Sequence, residues 1–158
     1  MANKIQNFDT GEKDNSNIIH LDLDPKINIE NKIYFKNLLK KIAECSLDDL
    51  EENLENLYHV DAEFNGFHPV NEIKGIEEIK NKYLIPLKKA FPDLERRNNL
   101  VIGGAFRDKV FVSFVSHLTG TFSNEWLGVK PTNKTIYLRT CEAHQITNNK
   151  IIKSYTLI

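Results

Sequence analysis

Between Asn31 and Ser46 the apolar residues Ile33, Phe35, Leu38, Leu39 and Ile42 recur three and four positions apart, the spacing that puts side chains on one helix face. This predicts a first helix with Asn31 as its cap. Leu47, Leu50, Leu54 and Leu57 repeat the pattern, with Ser46 as a capping residue and Asp48 and Asp49 suited to the positive end of a helix dipole. Gly66, Pro69 and Gly75 then punctuate a short strand and a loop. Ile76, Ile79, Tyr83, Leu87 and Phe91 predict a third helix, which Pro86 should kink or divide and "FPD" should stop. From Leu94 onward the period changes to two. Strands are expected over about 94–103, 109–119, 135–146 and 150–158, the last two joined by a tight hairpin at "NNK". Helices first and antiparallel strands after describe an α+β domain, a curved sheet covered on one face by helices with space for a pocket between the layers.

Residues 1–30 depart from this pattern. They are rich in Asn, Asp and Lys and bring few large apolar groups, so they are expected to form a partly disordered polar extension ahead of a single domain over 31–158. No apolar run reaches the length of a membrane span, and the N-terminus lacks a signal-peptide core, so a cytoplasmic protein is expected. With 21 basic against 22 acidic residues and a net charge of -1, nothing in the charge balance points to nucleic acid or an anionic membrane. Cys45 and Cys141 lie outside any C-x-x-C spacing and read as buried thiols.

The stretch "LRTCEAHQI" concentrates the candidate chemistry. Alternation puts Leu138, Thr140, Glu142, His144 and Ile146 on one strand face, so a carboxylate and an imidazole sit side by side among apolar groups. Burial without a partner would raise the carboxyl pKa toward neutrality and suit Glu142 to proton transfer, with His144 holding it or sharing the work. A satisfied polar contact, a solvated face or a subunit interface explains the same spacing. His117, in line with Phe111, Ser113 and Val115, could enter the same pocket from the neighbouring strand or simply pack. Asn65, Phe67, His68 and Asn71 cluster around Gly and Pro as either a binding loop or an ordinary turn. Trp126 could cover an apolar ligand or plug the core. No G-x-G-x-x-G, P-loop, H-E-x-x-H or G-x-S-x-G is present, so nucleotide, zinc-protease and serine-hydrolase readings lack local evidence, and five histidines with Asp61 and Glu72 show no metal-ligand cluster, so no metal is expected.

Four stretches, "DAEFNGFHPVNEIKG", "PLKKAFPDLERR", "SHLTGTFSNEWLGVKPTNKTIYLR" and "CEAHQITNNKIIKSY", together resemble the SnoaL-like polyketide cyclases (ester cyclases) of the nuclear-transport-factor-2-like superfamily, over roughly residues 32–158. The resemblance implies a conical, cystatin-like α+β fold, a curved antiparallel sheet wrapped by helices around one deep apolar cavity, and a homodimer paired through the sheet. It implies an intramolecular aldol cyclisation, without metal or cofactor, in which a cavity acid moves the proton. Glu142 corresponds by position to that acid and His117 to a cavity histidine, while Asn65, His68 and Trp126 correspond to positions near the cavity mouth. Three functions stay open: cyclase-type acid/base chemistry on a small apolar carbonyl compound, a ligand-binding module without chemistry, and a lyase or hydrolase in which Glu142 activates water.

Overall fold

The computed structural model describes residues 23–158. Helix α1 spans Pro25–Glu44 and α2 spans Leu50–Leu57. Strands β1 (Tyr58–Asn65) and β2 (Glu72–Lys74) follow. A continuous helical segment then runs as α3 (Ile76–Ile79), a π-helical turn (Lys80–Leu84) and α4 (Ile85–Ala90). The chain ends in β3 (Glu95–Phe106), β4 (Lys109–Thr121), β5 (Thr135–Thr147) and β6 (Lys150–Leu157).

Local chemistry accounts for most boundaries. Helix α1 starts seven residues before the expected point, because Asp24 caps it by accepting from the amides of Lys26 and Ile27 and Pro25 occupies the first turn, where its missing N–H costs nothing. The expected extension therefore loses residues 25–30 to the helix, and its first 22 residues lie outside the described ones. Ser46 caps only a turn, accepting from the Asp49 amide, and α2 begins at Leu50. Ile33 and Leu47, expected in the core, are exposed. Pro86 neither breaks nor sharply divides the third helix; the turn before it widens to the π form, which absorbs the backbone bond that proline cannot make. Asn148 and Asn149 both adopt positive φ, as a two-residue hairpin requires.

The sheet order is β2-β1-β6-β5-β4-β3. All neighbours are antiparallel except β1 and β6, which are parallel, so the expected antiparallel sheet is mixed. The helices cover the face that carries Val112, Phe114, Ser116 and Leu118 of β4 and Thr140, Glu142, His144 and Ile146 of β5. Phe35, Leu54, Leu57, Phe64, Ile79 and Phe91 fill the space between. In β3 the register shifts between Asn98 and Leu100. Arg96 and Asn98 point inward before this bulge, whereas Leu100 and Ile102 point outward after it. Among the described residues no helix is long and apolar enough to cross a membrane.

The hairpin offers a direct check on backbone logic. Asn149→Gly should leave thermal stability unchanged or slightly raised, whereas Asn149→Val should cost about 1–2 kcal/mol in denaturant unfolding, because a β-branched residue resists the left-handed conformation.

Candidate functional site

Glu142 lies at the centre of the helix-covered face and is 8% exposed. Its position follows from the strand register. Glu142 pairs with Phe114 of β4 and Thr156 of β6, so its strand is flanked on both sides and lies inside the sheet, away from the edge strands β2 and β3, and the helices lie above it. A bare carboxylate here would be strongly disfavoured, and three side chains answer it. Arg96 Nη1 lies 2.9 Å from Oε1, the Thr140 hydroxyl donates to Oε1 at 2.6 Å, and His144 Nε2 lies 3.2 Å from Oε2. Burial works to raise the pKa, but the Arg96 charge and the His144 contact outweigh it and hold Glu142 at about 2. The expectation of a carboxyl raised toward neutrality is thereby corrected: the cation two strands away keeps the group ionised.

The partners are themselves braced. Arg96 Nε donates to Asn98 Oδ1 at 2.9 Å, and Nη2 donates to the Ser116 hydroxyl at 3.0 Å, which in turn donates to Asn98 Oδ1 at 2.9 Å. The guanidinium also lies 5.5 Å from the centroid of the Phe114 ring. An arginine has five N–H donors, so one remains uncommitted on each terminal nitrogen. Because an ionised Glu142 can only accept, His144 donates through Nε2, and its Nδ1, 2.9 Å from Ser154 Oγ, accepts from that hydroxyl when the ring is neutral.

A cavity of about 40 Å³ opens between this network and the helices. Its polar lining comes from Glu142, Arg96, Tyr58, Thr156 and Lys88, and Leu39, Leu87 and Leu118 are among its apolar walls. Burial pushes the Tyr58 phenol up to about 12, so it meets a ligand as a neutral hydroxyl. Tyr83, also raised chiefly by burial, comes from the π-helical turn.

The other sequence candidates scatter. His144 stands beside Glu142 but does not line the cavity. His117 is on the opposite face: in the β4–β5 ladder Phe114 pairs with Glu142, so the odd-numbered residues of β4 look away from it. There His117 Nδ1 lies 2.6 Å from Asn99 Oδ1, and Arg139 Nε donates to Nε2 at 3.3 Å. Its expected entry into the Glu142 pocket is corrected accordingly. Asn65 lines a groove of about 570 Å³ on that same open face and donates from Nδ2 to the Ser154 carbonyl at 3.2 Å. His68 is exposed, ahead of the cis bond to Pro69. Phe67 and Trp126 pack edge-on at 6.0 Å, and Phe67 also meets Tyr83 at 6.1 Å, forming an aromatic plug behind the cavity wall. Sequence reasoning missed Arg96, Thr140, Tyr58, Ser154 and Lys88 as site residues. The signal available for Arg96 was its alternation with Leu94 and Asn98 at the start of an expected strand, which puts the three on one face.

Removing the cation should expose the cost of the buried carboxylate. Arg96→Met should destabilise the protein by about 3–5 kcal/mol at pH 7, the usual consequence of stranding a buried charge. In the wild type, Glu142 is depressed from 4.5 to about 2. Its contribution, on the order of 3 kcal/mol, is therefore present above pH 4.5 and lost as pH falls toward 2. In Arg96→Met the sign should reverse, with stability recovering on acidification as the stranded carboxyl takes up a proton; urea unfolding between pH 2 and 7 measures both.

Comparison with known proteins agrees with this architecture. The SnoaL-like polyketide cyclase family matches residues 36–158. No curated protein matches the chain. Among solved structures, AclR from Streptomyces galilaeus superposes with a TM-score of 0.64 at 20% identity, covering 82% of this chain and 88% of that one. A nuclear-transport-factor-2-like superfamily protein from Salmonella enterica serovar Typhimurium gives 0.66 at 13% identity, over 85% and 92%. An NTF2-like protein from Anabaena variabilis gives 0.61 at 12%, over 86% and 92%. At these identities the structures speak for the fold alone. The family match spans most of the chain and includes every residue around Glu142, so the protein belongs to the SnoaL-like polyketide cyclase family.

Proposed function

We propose that the protein performs cofactor-free acid/base chemistry on a small carbonyl compound held in the cavity, with Glu142 taking a carbon-bound proton. One observation carries the reading: an ionised carboxylate lines an otherwise largely apolar, helix-covered cavity beside a guanidinium with uncommitted N–H groups. Arg96 is placed to receive the substrate carbonyl oxygen and to stabilise the negative charge that develops there as the proton leaves. The same contact draws Arg96 away from Glu142, so a bound carbonyl raises the basicity of the carboxylate that must act on it. His144, donating to Oε2, orients the carboxylate.

A ligand-binding module without chemistry is the second reading. It is favoured by one feature: Glu142 already accepts from three side chains, as a fixed anchor would. Aldol cyclisation or a related proton abstraction, as opposed to water activation, is part of the first reading. Pairing of two copies through the open sheet face is also proposed, since Leu100, Ile102, Tyr137 (72% exposed), Tyr155 and Leu157 (66% exposed) all lie there.

Exchange of α-protons for deuterium in a panel of short ketones, followed by NMR in D₂O, tests the chemistry. Wild-type protein should accelerate exchange above the solvent rate, and Glu142→Gln should lower it by about 100-fold or more. Because kcat/KM reports the free enzyme, no acid limb from Glu142 should appear between pH 4 and 8; a limb near neutrality would assign the base elsewhere. Light scattering of wild type and Ile102→Glu tests pairing: a dimer that the substitution converts to monomer is expected, and a monomeric wild type removes the idea.

A further inference from the structure

The cavity holds an unequal set of charges. Arg96 and Glu142 form an ion pair at 2.9 Å. The second cation on its wall, Lys88, is 8% exposed and has no carboxylate within ion-pair distance among the described residues. Its Nζ donates to the carbonyls of Ile42 and Ala43 at 2.9 Å each, at the C-terminal end of α1. Those carbonyls carry the partial negative charge of a helix end, which offsets the ammonium in part, and they take two of its three protons. Burial lowers the Lys88 pKa from its ordinary value, and contacts with Cys45 and Glu44 work against that. Glu44 itself is engaged elsewhere, accepting from the Arg96 amide at 3.2 Å.

A cavity with two cations and one anion attracts a further negative charge, because in a water-poor site a carboxylate meets the ammonium with little screening. Its size sets the scale of the ligand. About 40 Å³ has room for on the order of three waters. That suits a compound of a few carbon atoms, admitted by modest yielding of the π-helical turn that supplies Tyr83 and Leu84, and does not suit a fused ring system.

We propose that the ligand of this cavity is a short oxo acid, its carboxylate bound by Lys88 and its carbonyl oxygen directed toward Arg96. This rests on the proposed function for the role of Arg96 and adds to it the anionic substrate class and a second anchoring residue. Lys88 is then a binding residue whose donors do two jobs at once, closing the end of α1 and holding the ligand.

The test compares 2-oxobutanoate with 2-butanone, its analogue without the carboxylate, by calorimetry or ligand-observed NMR on the full chain. Wild type should bind the acid at least 10-fold more tightly than the ketone. Lys88→Gln keeps an amide donor for the α1 carbonyls and removes the charge; it should lose at least 10-fold in affinity for the acid and leave the ketone unchanged, with folding verified by thermal melt. If Lys88→Gln unfolds, Lys88→Arg, which keeps the charge, should retain the preference for the acid. Equal binding of acid and ketone by wild type, no binding of the acid, or full acid affinity in folded Lys88→Gln would each overturn the proposal. The proposed chemistry fails separately: Lys88-dependent binding of the acid without Glu142-dependent proton exchange supports the ligand class and removes catalysis, whereas Glu142-dependent exchange of 2-butanone with no advantage for the acid does the reverse.

Discussion

The contact between Arg96 and Glu142 is the constraint around which the interior is arranged. Neither charge is tolerable alone at this depth, and a buried ion pair recovers its desolvation cost only when its remaining donors and acceptors are also satisfied. The fold meets most of that condition with side chains from four strands, leaving one N–H on each terminal nitrogen of Arg96 uncommitted. Asn98 and Arg96 come from β3, Ser116 from β4, Thr140, Glu142 and His144 from β5, and Ser154 from β6. The polar network therefore cross-links most of the sheet beneath the helices, so the chemistry of the site and the register of the sheet are a single structural fact.

This arrangement explains why polar groups run through the middle of a sheet face that otherwise packs Phe64, Phe114, Val112 and Ile151. A purely apolar face would be filled more easily. A satisfied network keeps a small space open beside an ionised group, and it holds the carboxylate and guanidinium in one orientation. The low basicity of Glu142 is part of the same arrangement. A carboxylate already neutralised by Arg96 is stable enough to be held in the core.

The two sheet faces divide the candidate functions. The covered face carries the charged cavity, and the open face carries exposed apolar side chains together with the His117–Arg139–Asn99 contacts. Residues two apart along a strand share a role, and residues one apart do not. His117 keeps the face of Phe111, Ser113 and Val115 that alternation gave it, but strand pairing turns that face away from Glu142.

Periodicity was sufficient for the elements. Three-four spacing marked the helices, period two marked the four long strands with ends within a few residues of those observed, and the paired asparagines marked the hairpin, because these are properties of the local chain. The same alternation put Glu142 and His144 on one face and, with the family motifs, pointed to the cavity wall. Which face of β4 joins them depended on strand pairing, and the inward turn of Arg96 depended on a bulge at residues 98–100, neither of which the local pattern encodes. The protonation state of Glu142 was likewise a tertiary matter: burial alone raises a carboxyl pKa, and a guanidinium delivered from two strands away, 46 residues earlier in the chain, reverses the sign together with the His144 contact.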